Sequence, residues 1–205
     1  MHDYSSLAFW ERRYTNEHLE IFEWYQTFES LREKIIDYLK PEHKILNVGC
    51  GTSKFAEDLF YEGIKNVVNI DFSESAIRLL EEHFEEQQIV SKCIKMDVLD
   101  MKEFQTGSFN TVIDKGTLDS VLCGDNSVAS AQKMIAEVFR VLAPGGHYIC
   151  ITYGDPEHRK KYLETQQWGN LSTDKILKPA TSSNANVDEN DQKNYHFIYT
   201  MTKPK

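Results

Sequence analysis

One stretch limits what this chain can fold into more than any other: Lys44 to Phe72, KILNVGCGTSKFAEDLFYEGIKNVVNIDF. An apolar run (Ile45, Leu46, Val48) ends in a glycine pair, Gly49 and Gly51. Phe55, Leu59 and Phe60 then fall on one side of a helical pattern, and Gly63 stands where a helix C-terminus places a glycine. A second apolar run, Val67, Val68 and Ile70, closes on Asp71. Strand, glycine turn, helix, strand and carboxylate make a βαβ unit suited to holding a nucleoside. The glycines let the backbone approach a ligand without a Cβ in the way. An acid roughly 20 residues downstream accepts hydrogen bonds from both ribose hydroxyls.

The details narrow the nucleoside. A dinucleotide fingerprint needs a third glycine three residues after the second, and that position is Lys54. NAD and FAD are therefore disfavoured. The string G-x-x-x-x-G-K-[ST] of a phosphate-binding Walker loop does not occur. A glycine pair with a ribose-binding acid and no phosphate machinery suits S-adenosylmethionine.

Bulk properties remove several other classes. The 205 residues are enough for one domain with a sizeable core, and 40% hydrophobic and 12% aromatic content excludes a wholly disordered chain. No run of 18 apolar residues and no basic-then-apolar leader occurs, so neither a membrane span nor secretion by that route is expected. Cys50, Cys93, Cys123 and Cys150 are scattered without a C-x-x-C pair. They read as small buried hydrophobes in a reducing, cytoplasmic setting rather than a disulfide frame or a metal site. A net charge of −9 argues against a nucleic-acid substrate and is compatible with a cationic partner.

In chain order, aromatic residues come first. Tyr4, Phe9, Trp10, Tyr14, Phe22, Trp24, Tyr25 and Phe28 precede any strand signal. They read equally as a segment packed on the core or as a lid whose π-faces close over a sulfonium cation. A helix is expected from Ser30 to Lys40, with Ser30 and Glu33 as a capping box and Leu31, Ile35, Ile36 and Leu39 buried. After Asp71, Ser73 is the expected N-cap of a helix carrying Ala76, Ile77, Leu80 and Phe84. A third strand over Ile89–Met96 leads to Asp97 and Val98, placed to meet an adenine edge. A fourth (Phe109, Val112, Ile113) ends in Asp114-Lys115-Gly116-Thr117-Leu118-Asp119, where an open sheet puts its crevice. Ser127–Leu142 is a strong amphipathic helix, stopped by Pro144-Gly145-Gly146 before a fifth strand over Tyr148–Thr152. A polar helix (Pro156–Gln166), strands at Leu171–Leu177 and Tyr195–Met201, and a polar, hairpin-like connection at 181–193 complete the pattern.

VGCG, the strand-ending Asp71, MDV (96–98), VLAPGG (141–146) and the closing β-pair resemble a class I, seven-stranded S-adenosylmethionine-dependent methyltransferase. FWERRY (9–14), EWY (23–25), LNVGCGTS and DKGTLD (114–119) are similar to the small enzymes that methylate lysines of translation elongation factor 1A. The resemblance implies a Rossmann-like α/β fold: a seven-stranded, mostly parallel sheet, helices on both faces and an antiparallel last strand. It covers essentially the whole chain, so 1–205 are expected to form one methyltransferase domain, with 1–40 an aromatic lid and helix and 41–205 the cofactor-binding core. It implies that Trp10, Tyr14 and Trp24 wall the cofactor site and that Gly49, with Gly51, lies against the methionine part. Asp71 and Phe72 would take the ribose and flank the adenine, Asp97 and Val98 the adenine edge, and Lys115 the cofactor carboxylate. Two positions depart from the class: its usual acid before the first glycine is Asn47, and the third glycine of G-x-G-x-G is Ser53.

The reaction implied is methyl transfer from S-adenosylmethionine to a protein lysine, leaving S-adenosylhomocysteine. Asp114 is the expected catalytic residue, positioning the incoming amine. No metal is expected, and the chain is expected to act as a monomer on a cytoplasmic protein, with neither nucleic acid nor membrane as partner. A small-molecule methyltransferase and a non-catalytic cofactor-binding subunit remain the alternatives.

Overall fold

The computed structural model describes residues 3–15, 21–179 and 191–205. Seven strands form one sheet in the order β3-β2-β1-β4-β5-β7-β6. They are β1 (Ile45–Val48), β2 (Val67–Asp71), β3 (Lys92–Lys95), β4 (Phe109–Lys115), β5 (Leu142–Thr152), β6 (Asn170–Leu177) and β7 (Tyr195–Thr202). β1 to β5 run parallel, and β7 lies antiparallel between β5 and β6. The strand order reverses between β1 and β4, which opens a crevice beyond their carboxyl ends.

Alternation along the strands builds two cores. Leu46 and Val48 of β1, Val112 of β4, Tyr148 and Cys150 of β5 and Tyr199 of β7 face one side. They pack under α6 (Ser127–Val141) through Ala131, Met134, Ile135, Val138 and Val141, and under Leu163 of α7 (Pro156–Leu163). Ile45, Ile113, Ile149, Ile151 and Ile198 face the other side. There they meet α2 (Phe28–Ile35), α3 (Phe55–Tyr61) and α4 (Glu74–Glu86). Strands covered on both faces read as continuous apolar runs, and that is why β1, β2 and β5 stand out in the sequence. The N-terminal helix α1 (Leu7–Thr15) joins neither core. Its Trp10 and Tyr14 form a small third cluster with Ala76 of α4, flanked by Tyr4, Phe9, Trp24, Phe72 and Leu79.

Several local expectations change. α2 begins at Phe28 and is capped by Thr27, whose hydroxyl accepts from the Ser30 amide. Ser30 is therefore inside the helix, and Ile36–Tyr38 tightens into a 3-10 turn before Pro41. Pro144-Gly145-Gly146 lies within β5, not before it. Leu142 already pairs with Phe109, and the register shifts before His147 meets Thr111, so the glycines form an irregular patch in a continuing strand. Val128, expected on the buried stripe of α6, is exposed. A short helix not anticipated, α5 (Thr117–Val121), starts directly from β4. All four cysteines are free; Cys50 and Cys150 are buried, Cys93 is half-buried and Cys123 is exposed. The polar stretch at 181–193 lies outside the described residues except for its end, where Gln192–Asn194 forms a 3-10 turn.

The turn after β1 depends on close packing. Gly49 has φ +58°, and a Cβ there would stand 2.1 Å from the Thr117 hydroxyl, which itself donates to the Val48 carbonyl at 2.9 Å. Gly49→Ala is expected to cost about 1–3 kcal/mol, a melting-temperature loss of roughly 2–4 °C per kcal/mol. Thr117→Ala in the same chain removes most of the clash, so the double variant should lose less than the two singles together. Thermal melts of the four proteins check this; an unperturbed Gly49→Ala would show that the turn does not need the close approach.

Candidate active site

A cavity of about 570 Å³ opens at the carboxyl ends of the parallel strands. Because the sheet runs β3-β2-β1-β4-β5, the residues leaving those strands stand in a fixed spatial order. Asp97 follows β3, Asp71 ends β2, Gly49 and Gly51 follow β1, Lys115 to Asp119 follow β4, and Tyr153 follows β5. Trp10, Tyr14, Trp24, Gly49, Gly51, Asp71, Phe72, Asp97, Val98 and Lys115 all line this one cavity. Asp114 does not.

The acid at the end of β2 is almost enclosed. Asp71 is buried and accepts from the Gly51 amide (2.9 Å) and the Ser73 amide (2.9 Å). One carboxylate thus ties the glycine turn to the start of α4, whose N-cap is Ser73 as expected. Burial pushes the Asp71 carboxyl up to about 6, against the pull of those two amides. Asp97 is exposed and closes a local turn by accepting from the Leu99 amide at 2.8 Å, while Val98 beside it is buried. Asn47, where the class has an acid, donates to Asn69, which in turn donates to Ser91 and the Lys92 carbonyl. The amide is therefore a member of a polar ladder crossing β1, β2 and β3.

The basic residue of the site is held by an acid that the sequence did not single out. Lys115 Nζ meets Glu23 at 2.7 Å and the Trp24 carbonyl at 3.0 Å. Glu23 also accepts from the Ser53 hydroxyl (2.8 Å) and the Lys54 amide. Ser53, the other departure from the class, thus fastens the N-terminal segment to the glycine turn. Burial draws the Lys115 ammonium below its ordinary range, and Glu23 opposes that shift. An ammonium has three protons, and these two partners leave one donor for the cavity.

The aromatic wall is a connected stack. Trp10 lies nearly parallel to Tyr14 (centroids 5.7 Å, 20°) and donates its indole N–H to the Tyr4 carbonyl. Trp24 meets Trp10 edge-on at 5.9 Å. A Cβ on Gly51 would come within 2.5 Å of the Tyr14 hydroxyl, so this wall is seated directly on the turn.

Asp114 corrects the expectation for the reacting end. It is fully buried, and its carboxylate accepts from the Thr117 and Leu118 amides, the Tyr148 hydroxyl (2.8 Å) and the Cys150 thiol. Burial raises its carboxyl to about 6. It secures the start of α5 beneath the cavity and does not face a substrate amine. The physical reason is parity: side chains alternate along β4, so Asp114 points into the core that holds Val112, while Lys115 turns toward Glu23 and the cavity. Of the two acids in Asp114–Asp119, the one that lines the cavity is Asp119, carried round by the helical turn of α5.

These residues fit S-adenosylmethionine. Thr52, which lines the cavity, keeps a buried hydroxyl with no partner among the described residues. Asp71 and Asp97 would hold the nucleoside, the backbone at Gly49 and Gly51 leaves room for the amino-acid part, and Lys115 retains a donor for its carboxylate.

The methyltransferase-domain family matches residues 39–199. A mouse protein named eEF1A lysine and N-terminal methyltransferase is 38% identical over 161 residues, 78% of this chain. The chain spans only 23% of that relative's length. A mouse EEF1A lysine methyltransferase 4 is 29% identical over 176 residues, covering 80% of this chain and 68% of the relative. The solved structure of a Methanosarcina mazei SAM-dependent methyltransferase superposes with a TM-score of 0.64 over 83% of this chain and 97% of its own, at 21% identity, a likeness of fold. With most of its length matched and the site assembled at the strand ends, the chain belongs to the methyltransferase-domain family.

Proposed function

We propose that the chain is an S-adenosylmethionine-dependent methyltransferase that acts on a lysine side chain of a cytosolic protein, elongation factor 1A, as a single domain whose residues 1–40 form an aromatic lid and first helix. The observation that carries this reading is the convergence of Asp71, Asp97, the glycine turn and Lys115 on one cavity. The relatives named for lysine methylation of eEF1A support the substrate. A protein substrate also agrees with a net charge of −9. Among the described residues no helix is long and apolar enough to cross a membrane.

S-adenosylmethionine, when bound, supplies a methyl group activated by a sulfonium. The residues of this chain supply alignment and exclusion of water, and alignment alone is worth ~7–11 kcal/mol of such a barrier. Asp71 would accept from the ribose hydroxyls, Lys115 would meet the cofactor carboxylate, and Trp10, Tyr14 and Trp24 would shield the cationic centre. A lysine ammonium, with an ordinary pKa of about 10.4, first gives a proton to solvent. The neutral amine would then be the nucleophile, and the bound cofactor would supply the methyl and a leaving group that takes the C–S electron pair.

Two outcomes test this. Asp71 is a charged, acceptor-only group when ionised and a weaker acceptor with a donor proton when neutral, and its carboxyl is pushed up to about 6. Affinity for S-adenosylhomocysteine should therefore be level above pH 7 and fall as the pH drops through 6, when the proton removes the charge and one of the accepting oxygens. Asp71→Asn should weaken binding about 10- to 100-fold at pH 7.5, the loss of a charged acceptor worth about 1.5–3 kcal/mol, and flatten the pH dependence. Calorimetry at pH 5, 6 and 7.5 checks both; equal affinity at all three pH values would remove Asp71 from the ribose site.

The substrate is tested by incubating the protein with recombinant elongation factor 1A and labelled cofactor, then locating the methyl by peptide mass spectrometry. Label on a lysine Nζ is expected. Label only on the α-amine would replace the lysine reading with the other activity in the mouse relative's name. Cofactor binding with no transfer to protein would favour a small-molecule acceptor or a non-catalytic role.

A further inference from the structure

The cavity has a second half that the nucleoside does not use. Asp71 and Asp97 leave β2 and β3 on one side of the glycine turn, whereas Gly116, Asp119 and Tyr153 leave β4 and β5 on the other. There Asp119 is 3% exposed and takes five donors. Arg159 of α7 gives two, Nε at 3.0 Å and an amino group at 2.6 Å, both to Oδ1. The Thr152 hydroxyl bonds the same oxygen. The Tyr153 amide (3.2 Å) and the Tyr25 hydroxyl (2.8 Å) bond Oδ2. A buried charge pair of this kind is stable only when its remaining lone pairs and protons are satisfied, and here they are. Both oxygens of Asp119 are thus already taken as acceptors, and none is left to bond a substrate.

Its effect is to orient Tyr25. That residue has φ +64°, a conformation which non-glycine residues adopt at a cost and which clusters at functional sites. The ring is fixed on three sides: it lies on His196 (centroids 4.6 Å), meets Tyr153 edge-on (6.4 Å), and its Cε2 stands 3.0 Å from where a Cβ on Gly116 would be. His196 is itself held by the Gln26 amide. Because the Tyr25 hydroxyl spends its proton on Asp119, what it offers the cavity is an oxygen lone pair. Burial and Asp119 both raise its pKa, so it stays a neutral phenol. Tyr153 is exposed, is backed by Arg159 (4.9 Å over its ring), and lines the same cavity as Tyr25.

We propose that Tyr25 is the residue that receives the substrate: its phenol oxygen accepts an N–H from the deprotonated lysine amine, and Asp119 with Arg159 is the positioning pair that fixes the hydroxyl. This rests on the protein-lysine reading above and assigns its acceptor site. An amine that spends one N–H on Tyr25 has its lone pair directed away from that oxygen, toward the nucleoside half where the methyl is delivered. Neither Tyr25 nor Asp119 serves as a base, and the proton released by the ammonium leaves to solvent before attack.

Tyr25→Phe removes the hydroxyl and keeps the ring, so the fold and the packing on His196 and Tyr153 persist. On the full-length chain, calorimetry with S-adenosylhomocysteine and steady-state transfer to elongation factor 1A are measured together. The expected result is a cofactor Kd within twofold of wild type, KM for the protein acceptor little changed, and kcat lower by roughly 10²-fold. Asp119→Asn should give the same split with a lowered melting temperature; if it does not fold, Tyr25→Phe decides alone. Wild-type kcat in Tyr25→Phe overturns the inference, and so does a parallel loss of cofactor affinity, which would make Tyr25 a wall of the nucleoside site. A wild-type protein that binds the cofactor but transfers nothing to protein refutes the functional reading itself, a different result from either.

Discussion

The carboxylate of Glu23 is the constraint on which the site depends. It ties the N-terminal segment to the glycine turn and to the end of β4, through Lys115 Nζ, the Ser53 hydroxyl and the Lys54 amide. The side chains of Lys115 and Glu23 are only 6% and 21% exposed. Withdrawing two charges from water costs several kcal/mol each, and their attraction offsets this only when geometry and additional hydrogen bonds are good. The pair is therefore weak evidence of net stability and strong evidence of placement. Removing either partner would leave a buried charge alone, at a cost of about 3–5 kcal/mol. The aromatic wall stands where it does because this bond fixes the chain immediately before Trp24 and Tyr25.

A division of labour follows along the sheet edge. On the β2–β3 side, side chains come from strand ends and the tight turn at Asp71, all rigid parts of the parallel sheet. On the β4–β5 side, Asp119, Arg159, Thr152 and Tyr25 belong to four different segments and are united by hydrogen bonds. The first half is what a βαβ unit provides in any chain of this family. The second half is assembled from side chains specific to this sequence, and there a choice of substrate can be encoded without altering the sheet.

The same contrast explains what could be read from the residues alone. β1, β2, β4 and β7 are buried on both faces and announce themselves as apolar runs; the acids and glycines at their ends follow from the topology. Ten of the eleven site residues anticipated from sequence line the cavity: seven from strand ends and the turns after them, and Trp10, Tyr14 and Trp24 from the N-terminal segment. Asp114 was misplaced because the period-2 alternation of β4 governs where it points, and a cluster of charges in sequence does not reveal which member turns inward. Asp119 lay in the same hexapeptide and was passed over because α5 was not foreseen; helical geometry after Gly116 brings it back to the cavity. Glu23 stood in the EWY motif but was given no role, since it precedes every strand and its partners are 30 to 92 residues away. The positive φ of Tyr25 is set by tertiary contacts and has no local sequence mark.

The central claim is that the N-terminal aromatic segment is a wall of the cofactor site rather than a part of either core. Its Trp10 and Tyr14 pack in a cluster of their own against α4, apart from the two apolar layers that cover the sheet. The direct measurement is S-adenosylhomocysteine binding by a chain that begins at Thr27, compared with the full chain by calorimetry alongside circular dichroism and a thermal melt. The account predicts a cooperatively folded core, with Lys115 now solvated and the cofactor bound at least about 100-fold more weakly, as expected when several aromatic contacts and their shielding are lost together. Full affinity in the shortened chain would contradict it.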